Sequence, residues 1–213
     1  MKLIIRIISV IAIALTGIFV GCISEESIAV KDAYNGYLDA ILAQDGTESI
    51  KYVSPSTIDY YGDMQQAALS APEAEVRNFS LMDRMMVLIF RSIMEPSDLQ
   101  QMSADELFIY AVDEGLVGED VDSITLGAVR ISGENASAAA VIDGQTLPIL
   151  YEFVKSDGEW KFDLTGVITY SNQVLEELLQ DNGISENDFI FEGIEGAFAT
   201  EISDDIWQPL YPQ

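Results

Sequence analysis

Arg77, Arg84 and Arg91 recur every seven residues, running into the most apolar stretch of the body that follows the N-terminal segment, Phe79 to Met94. On a straight helix that spacing drifts by only about 20° per repeat, so the three guanidiniums share one stripe. Glu73 and Glu95 each stand four residues from an arginine, Arg77 and Arg91 respectively, at the spacing of helical ion pairs. Arg84 has no such neighbour, because the residues three and four away from it are Leu81, Val87, Ser80 and Leu88. A permanently charged, planar fork in apolar surroundings does one of two things. It lines a pocket for a carboxylate or phosphate, or it forms a partly buried ion pair with an acid distant in sequence, for which Glu152 and Asp163 are candidates.

Tyr34 and Tyr37, together with Tyr60 and Tyr61, offer phenolic hydroxyls of the kind that stabilise a developing oxyanion, although helical spacing fits simple packing equally well. Asp157-Gly158 reads as a two-residue hairpin turn, which pairs Lys155 with Trp160, Phe153 with Phe162 and Tyr151 with Leu164 on a core face. The opposite face then brings Val154 to Lys161 and Glu152 to Asp163. Facing carboxylates repel unless a cation or shared proton relieves them, and such a pair can serve acid/base chemistry or hold a hard cation. On a solvated face, water and Lys161 screen the pair instead.

Composition removes other chemistries. The 213-residue chain has no His and one Cys, which excludes Ser-His-Asp and Cys-His nucleophiles, His metal sites, intrachain disulfides and thiolate zinc. Ten basic against 36 acidic side chains leave a formal charge of −26, which argues against nucleic-acid binding and against adhesion of the acidic body as a whole to an anionic membrane. Glu119-Asp120-Val121-Asp122 and Asp204-Asp205 lack the glycine and terminal glutamate of a calcium loop. No metal, cofactor or catalytic residue is assigned.

The positioning elements begin after an address. Lys2 and Arg6 precede an uncharged run, Ile7 to Val20, of signal-peptide length but short for a bilayer span. It closes on Phe19-Val20-Gly21-Cys22, which resembles the lipobox of prokaryotic lipoproteins and implies lipidation of Cys22. An uncleaved anchor extending through Ile23 is the alternative. Residues 1–21 are thus a signal peptide or membrane segment, 22–27 a tether and 28–213 a single domain. Either anchor leaves that domain on the extracytoplasmic side of the cell membrane, since positive residues stay inside.

Helical spacing predicts a first helix through Ile28, Tyr34, Tyr37, Ile41 and Leu42, capped by Ser24 or Ser27 and stopped near Gly46. A short helix follows over Thr47 to Val53, then one from Ser56 toward Leu69, then the apolar helix from Phe79 to Met94. Ser103 with Glu106 forms a capping box for a helix that stops at Gly115. Four strands follow, Ser123 to Ile131, Ala136 to Asp143, Gln145 to Lys155 and Glu159 to Thr165, separated by turn residues. A helix through Val174 to Leu179 closes on Asn182-Gly183, and Ser185 opens a weaker one. The fold class is α+β: N-terminal helices, a curved four-stranded antiparallel meander, then C-terminal helices.

This order, with the hairpin from Tyr151 to Leu164 and the Gly133-Glu134-Asn135-Ala136 turn, resembles the nuclear transport factor 2-like (cystatin-like) cone over residues 28–165, leaving 166–213 as an acidic helical extension. The resemblance implies a shape and a conical pocket, in a family that spans isomerases, dehydratases, carriers and interaction domains. The helical segment between Ser70 and Gly118 departs from that pattern. The expected function is a membrane-anchored, extracytoplasmic domain that binds a protein partner or a small ligand without catalysis, using Arg84, Tyr34, Tyr37, Glu152 and Asp163. The alternative is an isomerase or lyase with a carboxylate base and Tyr or Arg groups in the cone.

Overall fold

The computed structural model describes residues 24–118 and 123–211. Residues 1–23, where the signal or membrane segment and Cys22 lipidation are expected, lie outside the described residues. Ser24 accepts a hydrogen bond from the Ser27 backbone N–H and opens α1 (Glu25–Leu42), which therefore begins at Glu25 rather than Ile28 and takes residues 25–27 out of the expected tether. Gly46 does not merely end this helix. It opens α2 (Gly46–Ser49), and its N–H reaches the Asp113 carboxylate at 2.7 Å in a spot where a β-carbon would collide with the Ile109 backbone. A 3₁₀ turn at Ile50–Tyr52 leads to α3 (Pro55–Ser70), with Ser54 as cap and proline in the first turn, where its missing N–H costs nothing.

The segment after Ser70 holds α4 (Glu73–Val76), α5 (Leu81–Ile93), α6 (Pro96–Gln101) and α7 (Ala104–Asp113). The expected reciprocal capping box of Ser103 and Glu106 starts α7. Helices α5, α6 and α7 pack against α3. Leu81, Val87, Leu88 and Phe90 of α5 are fully buried, as its apolar composition requires.

The strands β1 (Ile124–Ser132), β2 (Asn135–Ile142), β3 (Gln145–Ser156) and β4 (Glu159–Asp163) form an open antiparallel meander in sequence order. Asp143-Gly144 and Asp157-Gly158 all have positive φ, the backbone of tight hairpin turns. The second turn sets the register derived above, with Phe153 opposite Phe162 and Glu152 opposite Asp163. Irregularities at Leu126/Val129 and Ala139/Val141 interrupt the regular register. Strand β4 ends at Asp163 rather than Thr165, because the Asp163 carboxylate accepts from the Thr165 N–H (3.0 Å) and hydroxyl (2.7 Å) where α8 (Thr165–Asn182) begins. Gly183, in the left-handed conformation, stops α8, and α9 (Glu186–Phe198) follows with Ser185 as cap. The described residues thus form nine helices and one four-stranded sheet. Helix α1 packs on β1 and β4, and α8 on β3.

Candidate functional site

A cavity of about 210 Å³ lies between α1, α3, α5, α8 and the buried face of the sheet. Its wall carries four phenols, Tyr34 and Tyr37 of α1, Tyr61 of α3 and Tyr151 of β3, together with Met82 and Met86 of α5. Val167 and Ile168 of α8 and the loop at Leu116 to Gly118 complete an almost wholly apolar lining. Phe162 is the hub on which the phenols are arranged. Its ring centroid lies 5.5 Å from Tyr34, 5.2 Å from Tyr37 and 5.0 Å from Tyr151, the first two edge-on. Tyr61 is fixed separately, edge-on to Phe108 at 5.1 Å.

The hydroxyls differ in how they are satisfied. Tyr34 donates to the Ile124 carbonyl at 3.2 Å, whereas those of Tyr37, Tyr61 and Tyr151 form no hydrogen bond with a described residue. Burial pushes all four phenols upward, and at Tyr37 its neighbours Tyr61, Tyr34 and Tyr151 add to the shift. At neutral pH they are therefore protonated donors. These hydroxyls are not among the fully buried atoms left without a partner, so they open onto the cavity and can donate to an acceptor atom of a guest. The chemistry on offer is donation to a neutral acceptor, with no described carboxylate or basic side chain in the wall.

Of the residues singled out from sequence, Tyr34 and Tyr37 line this cavity, and Tyr61 joins them. Tyr60 does not: its hydroxyl donates to the Asp83 carboxylate at 3.0 Å. Glu152 and Asp163 face each other as derived, away from the buried aromatic face, and Asp163 is occupied as an acceptor from Ser56 (2.6 Å) and Thr165. Arg84 points away from the cavity lining. Its partner is Glu186 of α9 rather than Glu152 or Asp163, because α9 folds back against α5 and brings an acid there. One Arg84 nitrogen, Nε, is buried without a partner.

Arg77 pairs with Glu73 at 2.8 Å as expected and lies 3.8 Å over the Trp207 ring. The Arg91–Glu95 pair expected from spacing is replaced by something stronger. Arg91 is 8 % exposed and donates to five carbonyls, those of Ala67, Ala68, Ala71, Ile206 and Trp207, at 2.6–3.3 Å. The end of α3 leaves carbonyls without helical partners, and a guanidinium is the fork that can satisfy several at once. Burial lowers Arg91 to about 10, which leaves it charged at neutral pH.

Sequence reasoning assigned no site role to Met82, Met86 or Tyr151. Tyr151 was legible as a core-face residue, but nothing in the spacing marks a void beside it. Among the described residues there is no cluster of three or more metal-ligating side chains, and no helix is long and apolar enough to cross a membrane. Comparison with protein-family models, with curated proteins and with solved structures finds no match.

Proposed function

We propose that the protein is a membrane-anchored, extracytoplasmic binding domain, held by a lipid on Cys22 or by its N-terminal segment. Its cavity takes a small, largely apolar ligand bearing a hydrogen-bond acceptor. The observation that carries this reading is the set of three phenol hydroxyls, free of hydrogen bonds to described residues, that line an otherwise apolar wall. A cavity of about 150 Å³ accepts benzene, so about 210 Å³ suits a single substituted ring. The formal charge of −26 opposes anionic guests. Helices followed by a bent meander are in keeping with the resemblance to the nuclear transport factor 2-like cone. The isomerase alternative requires a carboxylate in the cavity, and no described wall residue supplies one.

Acetophenone and ethylbenzene have nearly the same shape, and only the first has an acceptor. Acetophenone should bind the domain more tightly, by about fivefold for one net hydrogen bond of about 1 kcal/mol. Tyr37→Phe with Tyr61→Phe should abolish the difference while leaving the unliganded melting temperature unchanged or raised. Equal binding of the two rings to the unmodified protein, or none of either, overturns the reading. The anchor is tested separately by the denatured mass of membrane-extracted protein: residues 22–213 plus acyl chains, or the full-length chain.

A further inference from the structure

Every lysine of the described chain lies near one end of the domain. Lys51, Lys155 and Lys161 line a cleft of about 770 Å³ between the start of α1, the Ile50–Tyr52 turn and the β3–β4 hairpin, and Lys31 stands in the second turn of α1 beside Asp32 of the same wall. The arginines are committed elsewhere: Arg84 and Arg91 are buried, Arg77 covers Trp207 and Arg130 lies on β1. Lys51 pairs with Glu48, Lys155 with Glu26 and Lys161 with Glu159, so the lysines offset part of the acidity of an end that also carries Glu25 and Asp32 in the cleft wall and Asp157 at the hairpin tip. This end is therefore the part of a strongly acidic body that an anionic surface repels least.

The same end is where the chain leaves toward its N-terminal segment. The Glu26 carboxylate accepts from Lys155 Nζ at 2.8 Å and from Trp160 Nε1 at 2.6 Å, which clamps the first turn of α1 to the hairpin. Three residues, Ile23 to Glu25, separate Cys22 from that clamp, so the four steps from Cys22 to Glu26 reach at most about 14 Å. An uncleaved anchor ending at Ile23 shortens that limit by one residue. That upper limit is less than two Debye lengths of about 8–10 Å each, so the surface charge of the membrane is felt at the cleft.

We propose that the lysine cleft and the Asp157-Gly158 hairpin tip face the headgroup layer of an anionic phospholipid membrane, which holds the domain upright. The inference rests on the anchored reading above. It places the β2–β3 turn, Asp143-Gly144, at the far end of the 12-residue strand β3, about 40 Å from the tip.

The test uses the full chain extracted from its own membrane and returned to phosphatidylcholine/phosphatidylglycerol vesicles that carry nitroxide-labelled headgroups. A genetically encoded coumarin amino acid replaces Ser156 in one protein and Gln145 in another. Flotation with the vesicles comes first, and protein that does not float overturns the anchor and the orientation together. In floating protein, severalfold stronger quenching at position 156 than at 145 is the expected result. Equal quenching, or stronger quenching at 145, overturns the orientation alone and leaves the anchor standing. Lys31→Glu with Lys51→Glu, both on the surface, should reduce the contrast on the anionic vesicles and not on pure phosphatidylcholine. A contrast unchanged on both overturns the role given to the lysines.

Discussion

Helix α5 separates two regions that bury polar groups in opposite ways. On one side Arg91 finds five backbone carbonyls, and the C-terminal 3₁₀ turn Asp204–Trp207 is tied down through two of them. On the other, Met82 and Met86 face a cavity where three phenol hydroxyls have no described partner. The difference follows from charge. A buried guanidinium without partners would cost several kcal/mol, so the fold itself must satisfy it. A neutral phenol is far cheaper to leave without a protein partner, and one that opens onto a cavity stays available to a ligand. Arg84 lies between these cases, since Glu186 takes one nitrogen while Nε has no partner.

Alkaline pH should break the comparison most strongly, because the two sides respond with opposite sign. Five phenols, those of the buried Tyr34, Tyr37, Tyr61 and Tyr151 and the partly buried Tyr60, are raised above their ordinary value of 10. Their stability contribution is complete below pH 10 and is lost as pH rises, because the unfolded chain releases those protons first. Arg91, lowered to about 10, opposes them with one group, since the unfolded chain keeps that proton to higher pH. The raised phenols outnumber the one lowered arginine, so the net effect is a loss of stability as pH rises above 10. Denaturant melts should therefore show stability falling as pH rises above 10, and Tyr37→Phe should make that fall shallower. A stability that stays flat over the first unit above pH 10 would contradict the burial of these phenols.

Removing the clasp is the next largest effect. Arg91→Met leaves five carbonyls without their donor and should cost about 3–5 kcal/mol, measured by urea denaturation. Hydrogen exchange should rise first at Leu210 and Tyr211, whose N–H groups donate to the Ala68 and Leu69 carbonyls beside the clasp. Arg91→Lys should recover only part of the loss, since one ammonium cannot reproduce the fork. Arg84→Met should cost less than about 1 kcal/mol, because its partner Glu186 is 43 % exposed and the variant removes an unpaired buried nitrogen. A loss at Arg84 as large as that at Arg91 would erase the distinction between a satisfied and a half-satisfied cation.

The sequence carried the local part of both regions and little of their closure. Asp157-Gly158 suffices for the β3–β4 register, since only a two-residue turn with both φ positive matches the twist of the strands. Ser103 and Glu106 likewise announce α7 without help from tertiary structure. The seven-residue arginine repeat was visible, but a search among helical neighbours gives Arg91 the wrong partner. Its acceptors lie 20–24 and 115–116 residues away, and the acid on Arg84 is 102 residues distant. Tyr34, Tyr37 and Tyr61 were legible as phenols on helices. The void between them was not, because a cavity is the small remainder of close packing among five elements.

The smallest expected effect asks whether the lysine cleft and the tyrosine cavity are independent. Glu26 is held below its ordinary value of 4.5, first by its hydrogen bond from Lys155 and then by that from Trp160. A depressed carboxylate contributes stability above its unfolded value and loses it as pH falls through the folded one. Glu26→Gln keeps an acceptor for Trp160 but removes the charge that holds Lys155. It should lower the melting temperature slightly at neutral pH and make stability less sensitive to acid below about pH 4.5. Glu26 and Tyr37 lie eleven residues apart on α1, about 16 Å along the axis, beyond the range at which substitutions usually couple. Acetophenone affinity should therefore be the same in Glu26→Gln as in the unmodified protein, and the stability changes of Glu26→Gln and Tyr37→Phe should add. A coupling above about 0.5 kcal/mol in that double-mutant cycle would mean that α1 transmits strain from the clamped end to the phenols, and the two regions would then have to be treated as one.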